Sequence, residues 1–175
     1  MLGAASLAGA DLALAALSLA DFRPAAGRGT RLKLALNGGE ALVIDESYNA
    51  NPTSMRAAIA LLAQAPVGQR GRRIAVLGDM LELGAKATDL HRALADVLTD
   101  SDIDLVFCAG PLMQALWQAL PSERRGGYAD NAAALQGDVV AAVHAGDAVM
   151  VKGSAGSKMA PIVKALVNHS SRHAA

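Results

Sequence analysis

The chain has 175 residues, with 16 Lys and Arg balanced by 16 Asp and Glu, and aromatic side chains make up only 3% of it. Zero formal net charge gives no basic footprint for nucleic acid or an acidic membrane surface, and so few rings argue against a base-stacking platform. The length suffices for one domain with a real core plus an appendage.

Residues 2–20 are apolar enough to raise a signal peptide or a membrane span. No Lys or Arg precedes that run, however, and Gly3, Ser6, Gly9 and Asp11 dilute it. An Asp at the centre of a membrane helix costs about 2.5–3.5 kcal/mol. A mostly buried helix of a soluble protein is expected instead, with no membrane insertion. Residues 21–30 mix Pro24, Gly27, Gly29, Arg23 and Arg28 and read as a linker.

From there the pattern alternates. Short β-branched or apolar runs predict strands over 31–36, 41–45, 73–77, 104–109, 127–129 and 148–151. Apolar spacings of three to four predict helices over 53–64, 88–98, 111–120, 131–144 and 157–167. Asn37-Gly38-Gly39 between the first two strands signals a tight hairpin, which makes them antiparallel neighbours. Strands alternating with helices of ten or more residues predict parallel βαβ units. The fold class is therefore α/β: a Rossmann-like, mostly parallel sheet with an antiparallel edge hairpin and helices on both faces.

Polar residues gather where these strands end. Asp45, Glu46, Ser47, Asn49 and Asn51 follow the second strand, with Asn51 placed to cap the next helix and Pro52 suited to its first turn. Gly78-Asp-Met-Leu-Glu-Leu-Gly84 follows the third strand, Gly110-Pro111 the fourth and Asp130-Asn131 the fifth. Lys152-Gly-Ser-Ala-Gly-Ser-Lys158 follows the sixth. In open α/β sheets ligands bind beyond the carboxyl ends of the strands, so this clustering marks a binding crevice. Lys152 at the end of a buried strand needs an anionic partner or a route to water. Asp79 and Glu82 could hold a substrate ammonium, pair with Lys152 or cap a helix. Cys108 lies in an apolar run and reads as a buried, reduced thiol. His91, His144 and His169 show no metal-ligand spacing, so no protein-built metal site is expected. No catalytic triad can be argued, and no Gly-x-x-x-x-Gly-Lys-Ser/Thr phosphate cradle occurs in the 175 residues.

Three segments in order, Asp45-Glu-Ser-Tyr-Asn-Ala-Asn-Pro-Thr-Ser-Met55, Ala75-Val-Leu-Gly-Asp-Met-Leu-Glu-Leu-Gly84 with His91 downstream, and Val151-Lys-Gly-Ser154, resemble the Mur ligase family of peptidoglycan synthesis. The resemblance runs from about residue 30 to 167. It implies that 30–175 form the family's C-terminal domain and that 1–29 are the last helix of the central domain plus the linker. It further implies a cytoplasmic ATP- and Mg2+-dependent ligase, in the branch that joins D-Ala-D-Ala to a UDP-N-acetylmuramoyl (UDP-MurNAc) tripeptide. Carried over by motif, Arg28, Asp45 and Asn49 would serve ATP at the phosphates, ribose and adenine. Asp79, Glu82, Lys152 and Ser154 would face the acceptor dipeptide. Mg2+ and the P-loop would belong mainly to the central domain, so no catalytic residue is assigned within these 175 residues, and alone they are expected to be inactive. Ala155 stands where many members carry Arg, which puts a carboxylate contact there in doubt. A folylpolyglutamate synthase and a stand-alone binding module are the alternatives; the Gly78–Gly84 run argues against the first.

Overall fold

The structure is a computed structural model that describes Gly9, Asp11, Ala13, Leu14, Leu17 and residues 25–171. The helix expected over 2–20 therefore lies largely outside the described residues. Among those described, Gly9 has φ 76° and Asp11 is non-helical. Asp11 Oδ1 accepts the N–H groups of Ala13 and Leu14 at 2.8 and 3.2 Å, so Asp11 caps a helix start and the run is not one continuous helix.

The remaining elements follow the expected alternation. They are β1 (Thr30–Leu36), β2 (Gly39–Glu46), α1 (Pro52–Ala63), β3 (Arg73–Gly78), α2 (Ala87–Arg92), α3 (Leu94–Thr99) and β4 (Leu105–Ala109). Then come α4 (Met113–Ala119), β5 (Arg125–Ala129), α5 (Ala132–Ala142), β6 (Ala148–Lys152) and α6 (Ala160–Ser171). They build one six-stranded sheet in the order β1-β2-β6-β3-β4-β5. Only the β1–β2 pair is antiparallel, which is the edge hairpin that Asn37-Gly38-Gly39 signalled.

Two expected helices change on inspection. The run over 88–98 is split at Ala93 into α2 and α3, which bury different partners: α2 turns His91 inward, whereas α3 seats Leu94, Ala95 and Leu98 in the core. The helix expected from 157 starts only at Ala160. A 3-10 turn at Ala155–Ser157 precedes it, and Lys158 takes a left-handed conformation (φ 53°) that an α-helix cannot pass through. The strand expected over 127–129 is longer because Gly126 and Gly127 lie against the Phe107 ring on β4.

Each central strand is apolar on both faces, and alternate residues feed two cores. Ile44, Ala75, Leu77, Val106, Cys108 and Met150 pack under α1, α3 and α4. Val43, Ile74, Val76, Phe107, Val149 and Val151 pack under α5 and α6. This split follows from the rule that parallel crossovers are right-handed. The chain steps β2→β3→β4→β5 in one direction and so keeps its helices on one face. The return from β5 to β6 reverses direction and puts α5 on the other.

Candidate functional site

That reversal also locates the crevice. β6 lies between β2 and β3, yet its following helix covers the opposite face, so the loops leaving these three strands diverge and open a cleft at their carboxyl ends. Register sets the side chains level: Glu46 pairs with Lys152, and Lys152 pairs with Leu77. The three segments far apart in the chain thus converge on one edge of the sheet.

Lys152 is the buried cation of this edge, with a side chain 2% exposed. Its ammonium donates to the Asn49 carbonyl at 2.9 Å and lies 3.6 Å from the Glu46 carboxylate. Burial pulls the Lys152 ammonium below its ordinary pKa, and Glu46 opposes that shift. The anionic partner that the sequence demanded is therefore Glu46. Asp79 does not fill that place, because its carboxylate turns to the start of α4 and accepts Met113 N–H at 2.9 Å and Leu112 N–H at 3.4 Å. It caps a helix with which it shares no local sequence. Burial pushes the Asp79 carboxyl up, while those two amides hold it down.

His91 is fully buried and holds the same loop from below. Met80 N–H donates to its Nε2 at 2.9 Å, and its Nδ1 faces the Ala87 carbonyl at 2.7 Å. A carbonyl on one nitrogen and an amide N–H on the other specify the neutral tautomer with the proton on Nδ1. Glu82, two residues beyond Met80, is exposed and has φ 63°, so it stands out of the loop into the crevice.

On the β2 side, Asp45 is buried, and its Oδ1 accepts both the Ser47 hydroxyl at 2.6 Å and the Ser47 N–H at 3.1 Å. Asn51 caps α1 by accepting Ser54 N–H at 2.8 Å, with the reciprocal bond from Asn51 N–H to Ser54 Oγ at 3.0 Å. Arg28 is brought to this loop by two backbone bonds, Tyr48 N–H to the Gly27 carbonyl and Gly29 N–H to the Asp45 carbonyl. Its guanidinium lies 4.1 Å over the centre of the Tyr48 ring. Arg28 thus lies beside the loop that follows Asp45 and carries Asn49. The Tyr48 contact was not anticipated; a lone Tyr in a polar loop carries no periodic signal.

Two cavities of about 460 Å³ each flank this edge. One is lined by Tyr48, Asn49, Asn51, Glu82 and Ser154, the other by Asp79, Gly110, Asp130, Asn131, Ser157 and Lys158. Leu81 and Gly156 line both. Cys108 is buried beneath them, and burial together with Asp79 pushes its thiol far above the ordinary range, so it is no nucleophile. Among the described residues no three His, Cys, Asp or Glu side chains converge to hold a metal, and no helix is long and apolar enough to cross a membrane.

Residues 27–155 match the family described as "Mur ligase, glutamate ligase domain". The UDP-N-acetylmuramoyl-tripeptide--D-alanyl-D-alanine ligase of Bacillus subtilis is 34% identical over 143 residues, covering 79% of this chain and 31% of its own length. The Escherichia coli ligase of the same name is 34% identical over 159 residues, covering 90% of this chain and 33% of its own. The chain spans about a third of the length of these curated relatives. Among solved structures, MurF from Acinetobacter baumannii superposes with a TM-score of 0.77 at 27% identity, over 94% of this chain and 35% of that one. The MurF ligase from Thermotoga maritima in complex with ADP shares the fold, with a TM-score of 0.77 at 23% identity over 98% of this chain and 37% of its own.

Proposed function

The chain belongs to the Mur ligase family through its glutamate ligase domain, and from that premise we propose that it forms the carboxyl-terminal third of an ATP-dependent ligase joining D-Ala-D-Ala to UDP-MurNAc-tripeptide in peptidoglycan synthesis. One observation carries this reading. Segments 45–51, 78–84 and 151–154, which hold the residues shared with that branch, meet at one crevice, and Lys152 bonds to Asn49 across 103 residues of sequence.

In the proposed reaction, ATP phosphorylates the terminal carboxylate of the tripeptide, releasing ADP. The dipeptide amine then attacks the acyl phosphate, forming the amide, and phosphate leaves. This chain binds and orients. Asp45, set by Ser47, takes the ribose; Asn49 lies beside the adenine; Arg28, on the entering segment, reaches the phosphates. The dipeptide lies against the loops bearing Asp79, Glu82, Lys152 and Ser154, with Glu82 the exposed carboxylate for its ammonium. Closure over the crevice excludes water that would otherwise hydrolyse the acyl phosphate. Mg2+ supplies charge neutralisation during phosphoryl transfer when bound. Its ligands are proposed to lie mainly with the P-loop in the central domain.

The test is a chimera in which residues 27–171 replace the corresponding third of the Escherichia coli ligase. It is expected to release phosphate in the presence of D-Ala-D-Ala and not with D-Glu or L-Lys as acceptor. A folded, ATP-binding chimera that ignores D-Ala-D-Ala would contradict the reading. The 175-residue chain alone, given ATP and both substrates, is expected to release none above background.

A further inference from the structure

Ser154 stands where the three loops of the carboxyl edge meet. Its N–H donates to the Asp79 carbonyl at 3.1 Å, and its own carbonyl accepts the Ser157 N–H at 2.9 Å and the Ser157 hydroxyl at 2.6 Å. Its hydroxyl accepts Leu81 N–H at 3.0 Å and directs its proton to the Ala50 carbonyl at 3.4 Å. One residue, 8% exposed, therefore links the loop after β2, the loop after β3 and the turn before α6.

A serine hydroxyl has one proton and two lone pairs. With the proton aimed at Ala50 and one lone pair taken by Leu81, it keeps no donor for a substrate carboxylate. We propose that Ser154 is a positioning residue for the ligase reaction described above, on which this inference rests, and that it does not touch the dipeptide. It fixes the nucleotide-side loop 47–51 and the acceptor-side loop 79–83 at one separation.

Two further features agree. A side chain on Gly153 would meet Met159 Cγ at 2.7 Å and the Ser157 hydroxyl, with Gly78 Cα at 3.2 Å, so the exits of β6 and β3 are pressed together. That close approach is what lets the Ser154 amide reach the Asp79 carbonyl. Leu81, whose amide Ser154 holds, forms the wall shared by the two cavities, so the Ser154 hydroxyl sets where that wall stands. Lys152, two residues earlier, ties down the same β2 loop through Asn49. Misplacing reacting groups by about 1 Å can cost roughly a hundredfold in rate, so loosening this tie is expected to act on turnover more than on binding.

The experiment has two arms, each with Ser154→Ala and Ser154→Thr. In the isotopically labelled 175-residue chain, Ser154→Ala should speed amide exchange at Leu81 roughly fivefold to tenfold, the loss of about one hydrogen bond. Exchange at Ala148 on the opposite edge should not change, and Ser154→Thr should restore the slow rate. In the chimera, Ser154→Ala should lower kcat about tenfold while KM for D-Ala-D-Ala stays within about twofold, with Thr again restoring activity. Unchanged exchange at Leu81, or a loss confined to the dipeptide KM and not rescued by Thr, would overturn the proposal. A wild-type chimera without ligase activity would instead sink the ligase reading, and the exchange arm would still decide whether Ser154 holds the loops.

Discussion

The two edges of the sheet both bury charge, but they use it differently. At the amino-terminal edge, Asp147 has a side chain 1% exposed and accepts four donors: Arg72 N–H, Nε and Nη2 at 2.8, 3.4 and 2.8 Å, and His144 N–H at 2.9 Å. Around it Gly146 donates to the Glu40 carbonyl and accepts Gly68 N–H, while a side chain on Gly71 would collide with the Gly146 carbonyl. At the carboxyl-terminal edge, the ammonium of Lys152 has three protons, and among the described residues it meets one carbonyl at 2.9 Å and one carboxylate at 3.6 Å. The first edge saturates its buried charge and knits strands together. The second holds its buried cation loosely, at the end of β6 beside loops where Glu82 and Lys158 take left-handed backbone conformations that cost energy. An edge built for stability spends every hydrogen bond on itself, whereas an edge built for a ligand keeps some in reserve.

Substitution should separate the two sharply. Asp147→Ala takes the carboxylate from the Arg72 guanidinium, which keeps only the Ala142 carbonyl, and strands two backbone amides; it is expected to cost about 2–4 kcal/mol in a denaturant melt, discounted because Arg72 is 35% exposed. A loss under about 1 kcal/mol would remove the distinction between the edges. Lys152→Met is expected to cost less, about 1 kcal/mol: it removes a desolvated charge but leaves the Asn49 carbonyl without its donor and the Glu46 carboxylate, 26% exposed, without its cation. The pH dependence has a definite sign. Folding lowers the Lys152 pKa, so the native state binds fewer protons than the unfolded one as pH approaches 10.5, and stability rises there. Lys152→Met should abolish that rise; a melt series in which it persists would assign it to another group.

The smallest effect concerns Asp79. Its folded pKa lies above the ordinary 3.8, so the native state binds more protons than the unfolded one in the window above that value. Wild-type stability then falls as pH climbs through the window. Asp79→Asn keeps one acceptor for the α4 amides and loses this slope, so its deficit relative to wild type should shrink from acid to neutral pH. A deficit constant with pH would mean that the carboxyl is not held protonated by burial.

Much of the architecture was legible because it is locally encoded. The β-branched runs gave strands, Asn37-Gly38-Gly39 gave the hairpin, and Asn51-Pro52 gave the start of α1. What escaped depends on partners distant in sequence. Glu46 and Lys152 meet only because β6 inserts between β2 and β3, an order that no window of residues encodes. Arg72 and Asp147 are 75 positions apart and touch for the same reason. The break at Ala93 was invisible because alanine favours helix; what differs there is what His91 and Leu94 each bury. Within the candidate site, the strand-end residues named from sequence do meet at one edge of the sheet, but Asp79 turned out to cap α4 and Ser154 to tie loops, roles that depend on where backbone amides lie.

The central claim is that ligands meet the carboxyl-terminal edge. It is tested most directly by titrating the isotopically labelled chain with ADP to millimolar concentration and following backbone amide shifts. Movement is expected at Arg28, at 46–51 and at 152–154, with Arg72, His144 and Asp147 unmoved. Shifts centred on Arg72 and Asp147, or on the groove lined by Val140 and His169, would contradict it.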